Sequence, residues 1–104
     1  MAQNSMSNPK NKVRVILTNH LREMAVARGI DEIEIKRIVR YPIETLYDTE
    51  NQNFKSYGKA FDHYTKQTRY LMIVHSGKLN NSIIVITSMW INPKGLKFYG
   101  FDKI

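Results

Sequence analysis

The sequence predicts an α+β domain, with two N-terminal helices packed on a curled antiparallel sheet of three to four strands. Three observations lead to this class. Between Thr18 and Tyr41 apolar residues recur at helical spacing, framed by helix start and stop signals. After Pro42 the period becomes that of strands. Two long β-branched runs, RYLMIVH (69–75) and SIIVITSMWI (82–91), are joined by SGKLNN, whose Gly and Asn residues suit a hairpin turn.

In chain order, VRVIL (13–17) reads as a short strand or a lead-in, and Thr18 follows it as an N-cap. The helix so begun runs to about Gly29, the residue type that ends helices in a left-handed turn, with Arg28 placed against the negative end of the helix dipole. Asp31 and Glu34 make an Asp-x-x-Glu variant of the capping box, with Ile30 and Ile35 as the hydrophobic staple, which predicts a second helix over 32–40. Pro42 disfavours helical geometry in Tyr41 and stops it. IETLY (43–47) is a strand candidate, DTENQN (48–53) a turn, and FKSYGKAFDHY (54–64) an edge strand or hairpin arm. IIVI (83–86) is apolar on both faces, which predicts burial on both sides. Pro93 and Gly95 end that strand, leaving LKFYGFDKI (96–104) as a last edge strand or a packed tail.

Composition narrows the function classes. A chain of 104 residues fits one compact domain; residues 13–104 read as that domain and residues 1–12, MAQNSMSNPKNK, as a flexible polar leader without the apolar core of a secretory signal. The absence of cysteine excludes a disulfide framework and a thiol nucleophile. No apolar run reaches the roughly 18 residues of a membrane span, so a cytoplasmic protein without membrane contact is expected. His20, His63 and His75 show no ligand spacing, and neither a metal nor another cofactor is expected. The formal charge of +7 favours anionic partners such as RNA. The excess is uneven: residues 1–30 hold five basic and one acidic side chain, residues 31–50 three and six, and residues 51–104 eight and two.

Two polar residues fall on the apolar stripe of the first helix. With His20 set at zero, Met24 lies at about 40°, Arg28 at about 80° and Leu21 at about 100° on the helical wheel. A buried arginine must be paired, so Arg28 either extends past Gly29 to solvent or meets a carboxylate or an anion. In the strand RYLMIVH, residues two apart share a face, which groups Arg69, Leu71, Ile73 and His75. The same alternation in SIIVITSMWI groups Thr87 with Val85 and Met89, and Ser88 with Ile86 and Trp90. A hydroxyl such as that of Ser88, inside an apolar strand, is expected to bond to the backbone or to the helix above. Lys36, Arg37 and Arg40 lie within about 100° on the second helix and either track a phosphate backbone or form a solvated face paired with Glu32 and Glu44. Tyr57, Phe61, Tyr64 and Tyr70 alternate with Lys55, Lys59 and Lys66, a pattern that suits base stacking between cations as well as an ordinary core.

The run Thr18-x-His20-x3-Met24-x3-Arg28-Gly29-Ile30, the acidic-capped helix ending in Tyr41-Pro42, Asp48, Arg69-x-Leu71-x-Ile73-Val74 and Val85-Ile86-Thr87 together resemble a family of small prokaryotic proteins classed as a domain of unknown function. That family is similar in fold to compact ribonuclease toxins of the BrnT and RelE type. The resemblance spans about residues 13–91 and implies a helix pair on a curled antiparallel sheet. It further implies a toxin-like endoribonuclease of a toxin–antitoxin or mobile-element system, with RNA as substrate and a protein antitoxin as partner. Metal-free cleavage of this kind needs a proton-transfer group near neutrality and cations aimed at the phosphate. The candidates are His20 for proton transfer, Arg28 and Arg69 for charge stabilisation, and Thr87 for orientation, with Lys36, Arg37, Arg40, Lys59 and Lys66 as the nucleic-acid contacts. The family usually carries an arginine before the helical methionine. Here Glu23 stands in its place, as an accessory that would raise the pKa of His20. The alternative is a non-catalytic domain of the same fold that binds nucleic acid or a protein partner.

Overall fold

The computed structural model describes residues 13–104; the leader assigned to residues 1–12 lies outside the described residues. The protein is α+β, with the order β1 (Arg14–Leu17), α1 (Asn19–Ala27), α2 (Glu32–Arg40), β2 (Glu44–Asp48), β3 (Asn53–Asp62), β4 (Gln67–His75), β5 (Ser82–Ile91) and α3 (Pro93–Tyr99). No helix among the described residues is long and apolar enough to cross a membrane.

The local signals act as their chemistry requires. Thr18 accepts a hydrogen bond from the Leu21 amide at 3.1 Å and starts α1. Gly29 takes a left-handed φ of 71° and turns the chain into α2. A Cβ there would stand 3.1 Å from Asp62 Oδ1, so glycine answers to space as well as to conformation. Asp31 occupies the N-cap of α2 without making the side-chain bond that a capping box requires. Ile30 and Ile35, the expected staple, are both buried.

The sheet departs from the antiparallel three- or four-strand expectation. Among the described residues it has five strands in the order β1-β5-β4-β3-β2, and it is mixed. Strands β2 to β5 are antiparallel neighbours, while β1 pairs in parallel with β5, Arg14 opposite Ser82 and Leu17 opposite Val85. A parallel partner comes from distant sequence through a crossover, which local periodicity does not report. The tail is no edge strand: 93–99 is a helix, and Phe101 beyond it packs into the core. Asn92 caps α3 by accepting from the Gly95 amide, Pro93 opens it, and Gly100 closes it at φ 105°.

Each sheet face has its own apolar cluster. On the inner face α1 packs over β5 and α2 over β3 and β4, burying Leu21, Ala25, Ile35 and Ile38 against Val15, Leu71, Ile73 and Val85. On the outer face Leu96 of α3 and Phe101 cover Tyr57, Met72 and Val74. The expected two-sided burial of IIVI does not occur: Ile84 and Ile86 are 47% and 52% exposed, because α3 does not reach that half of the outer face.

Candidate nucleic-acid interface

Where α1 ends, Arg28, Trp90, Arg69 and Asp62 are linked in turn, Arg28 through its backbone. Arg28 Nη1 donates to the Ser88 carbonyl at 2.6 Å, and Trp90 Nε1 donates to the Arg28 carbonyl at 2.7 Å. The Arg69 guanidinium lies 5.2 Å from the centre of the Trp90 ring, a cation–π distance, and donates to Asp62 Oδ2 at 2.7 Å. Asp62 also accepts from the Tyr64 and Thr65 amides. Burial alone would raise its pKa, but the Arg69 guanidinium and these hydrogen bonds bring it down to about 2. Arg28 therefore neither extends to solvent nor binds a carboxylate; it fastens the end of α1 to β5. Arg69 is brought to the same corner as Arg28.

Thr87 is not. Opposite β4 the register runs Val74 with Thr87 and then His75 with Val85, so Ile86 is an extra residue, a β-bulge. The bulge reverses the alternation, putting Val85 and Ser88 on the inner face and Thr87 on the outer face with Met89 and Ile91. The sheet thus stands between Thr87 and Arg69, and the grouping of Thr87 with Val85 is corrected. Ser88 departs too: its buried hydroxyl has no hydrogen-bond partner among the described residues. His20 lies in the first turn of α1, exposed, without a hydrogen bond or ion pair among the described residues, and the same holds for the exposed Glu23. Two turns of helix set His20 about 12 Å along the axis from Arg28. The four residues proposed for catalysis do not share one site, and Glu23 forms no pair with His20.

The cations of α2 are held in place by the fold. Arg37 bonds the Glu34 carboxylate and the Lys59 carbonyl, and Arg40 donates to the Val13 carbonyl at 3.0 Å. Lys36 is half-buried beside them. Glu32 and Glu44, their expected partners, serve elsewhere, Glu32 beside Arg22 and Glu44 accepting from the Asp102 and Lys103 amides.

The far end of the β3–β4 hairpin is different. Lys59 faces Tyr70 and Phe61 faces Thr68 across the strands, all four on the outer face beyond α3. Lys59 Nζ lies 5.7 Å from the centre of the Tyr70 ring, and Phe61 is 41% exposed. An open depression of about 330 Å³ is lined by Lys59, Thr68, Arg69 and Tyr70, with no carboxylate in its lining. Lys66 sits exposed in the turn at the tip, its left-handed φ of 62° fixed by the bond from its amide to the Asp62 carbonyl. Of the alternating aromatic and basic series, Tyr57 is core, the Tyr64 hydroxyl is tied to the Val26 carbonyl, and Lys55 is paired with Asp48. Phe61 and Tyr70 remain with Lys59 and Lys66.

One polar cluster has no counterpart in the sequence reading. His75 Nε2 lies 2.8 Å from Ser56 Oγ, which lies 2.7 Å from Thr45 Oγ1, while His75 Nδ1 lies 2.8 Å from the Ser76 carbonyl. Facing a carbonyl, Nδ1 carries the proton, so Nε2 accepts from Ser56 and Ser56 accepts from Thr45. Burial pushes the imidazole pKa down. Ser56 and His75 have the geometry of a nucleophile and its base, yet they are 1% and 5% exposed, sealed under the stacked Phe54 ring. Nothing in the spacing of residues 45, 56 and 75 signals the chain; the β2–β3–β4 pairing assembles it.

No protein-family model, curated protein or solved structure matches the chain.

Proposed function

We propose that the protein is a non-catalytic domain that binds single-stranded nucleic acid across the outer face of the β3–β4 hairpin. The observation that carries this reading is the open depression in which Lys59 stands beside Tyr70, next to Phe61 and without a carboxylate in the lining. Single strands are held by cations on the phosphates and aromatic rings under the bases. Lys59 and Lys66 supply the first and Phe61 and Tyr70 the second. The charge of +7 supplies the long-range attraction. Cleavage, the reading implied by the family resemblance, needs a proton-transfer group at the phosphate, and His20 stands two helical turns from the arginine corner.

Fluorescence anisotropy with a labelled oligonucleotide over a salt series tests the proposal. Binding should weaken as salt rises, with a logarithmic slope of about −0.7 per phosphate contacted. Lys59→Ala should make that slope shallower by about one contact, and Phe61→Ala should cost about 1–3 kcal/mol in affinity without changing it. Salt-independent binding, or binding untouched by both substitutions, rejects the proposal. RNA cleavage lost on His20→Ala would restore the endoribonuclease.

A further inference from the structure

The two faces of the sheet are covered unequally. Five strands about 4.8 Å apart make a surface about 19 Å across, wide enough for two helices at the 8–10 Å spacing typical of packed helices. The inner face carries two, α1 and α2. Among the described residues the outer face carries one helix, α3, set over β3, β4 and the Met89–Ile91 end of β5. Beside α3 lies a strip that no helix among the described residues covers, formed by Ile16 of β1, which is opposite Ile84 of β5, together with Ile86 at the bulge. Ile84 and Ile86 are about half exposed, and Leu79 in the β4–β5 loop is 75% exposed. A depression of about 530 Å³ opens between Leu79 and Ile84. β1 is also an outer strand of the sheet. Contiguous apolar surface of this kind marks an interaction site.

Charge selects the occupant. Arg14 is exposed on this face, Lys78 lines the depression, and residues 76–92 contain no carboxylate. A second copy of the chain would bring these cations against themselves. Residues 1–12 are polar and carry Lys10 and Lys12 with no acid, so they complement the strip no better.

We propose that the outer face of β1 and β5 receives an acidic amphipathic helix of a partner protein. The helix lies beside α3, its apolar stripe on Ile16, Ile84 and Ile86 and its flanking carboxylates toward Arg14 and Lys78. It gives the outer face the second helix that the inner face already has. This surface lies at the opposite end of the sheet from Lys59 and Phe61, so it is independent of the nucleic-acid reading.

The test is a titration of the full ¹⁵N-labelled chain with a synthetic helical peptide bearing a leucine stripe flanked by glutamates, and with the same peptide in which lysines replace the glutamates. The acidic peptide should shift the amides of Arg14, Ile16, Ile84 and Ile86, and the basic one should not. The double substitution Ile84→Ser with Ile86→Ser should weaken acidic-peptide binding at least tenfold while circular dichroism shows the fold intact. Failure of the acidic peptide to bind overturns the proposal, as does equal binding by the doubly substituted chain. Self-association abolished by that double substitution would assign the strip to a second copy. Nuclear Overhauser contacts from residues 1–12 to the Ile84 and Ile86 methyls would assign it to the chain itself. Either result overturns the partner helix.

Discussion

Two polar clusters built around buried groups, Asp62 in one and Ser56 with His75 in the other, lie on the inner face of the sheet near opposite ends of β3 and β4, and they solve the problem of burial differently. At one end Asp62, Arg69, Trp90 and Arg28 form a charged corner in which the carboxylate is met by a guanidinium and two amides. At the other end Thr45, Ser56 and His75 form a neutral chain, with the Ser56 hydroxyl bonded on both sides, to Thr45 and to His75. A buried charge tolerates its surroundings only with several partners, and here those partners also join β3, β4, β5 and the end of α1. The neutral chain joins three adjacent strands and depends on a single protonation state. The charged corner therefore acts as a structural joint, whereas the neutral chain is sensitive to acid.

The comparison can be broken at its strongest point first. Trp90→Ala removes the ring under Arg69 and the donor to the Arg28 carbonyl, and should cost about 3 kcal/mol, the low end for a tryptophan because the ring is partly exposed. Denaturant unfolding measures it; a loss below about 1 kcal/mol, the net worth of a single hydrogen bond, would deny the corner its role as a joint. Ser56→Ala leaves His75 Nε2 buried without a donor and should cost about 1–3 kcal/mol. A neutral outcome there would mean that the imidazole finds another partner.

The smallest effect separates the clusters by pH. In the folded chain His75 titrates below its ordinary 6.5, so the unfolded chain holds more protons just under that value, and stability falls as pH drops from about 7 through the folded-state value. Asp62, at about 2 against an ordinary 3.8, stabilises the fold above 3.8 and loses that contribution as pH falls toward 2. Thermal melts over a pH series should show two separate declines. His75→Gln should remove only the upper one, and a single decline confined to low pH would show that the hydroxyl chain does not sense protons.

The helices and central strands were legible because their signals are local: Thr18 and Gly29 mark the ends of α1, and the β-branched run 82–91 coincides with β5. The signals of α3 were present as well, Asn92-Pro93 at its start and Gly100 at its end, but seven residues are too few for helical periodicity to assert itself. The parallel β1–β5 pair and the bulge at Ile86 were not legible, since both arise from contacts between distant segments. The bulge had the larger consequence. By shifting the phase of one strand it moved Thr87 to the outer face and left Ser88 buried. Lys59 and Lys66 were legible as cations, whereas the retention of Arg37 and Arg40 by backbone carbonyls depended on how α2 packs.

Parallel pairing of the first strand with the last also orders the folding of the chain in time. Strands β2 to β5 follow one another through short turns and pair with neighbours in sequence, so their contacts close small loops. Arg14 must wait for Ser82, and a contact of such separation forms slowly. During synthesis the four residues of β1 leave the ribosome before the other strands of the sheet and are among the last of them to pair, held open until β5 exists to receive them.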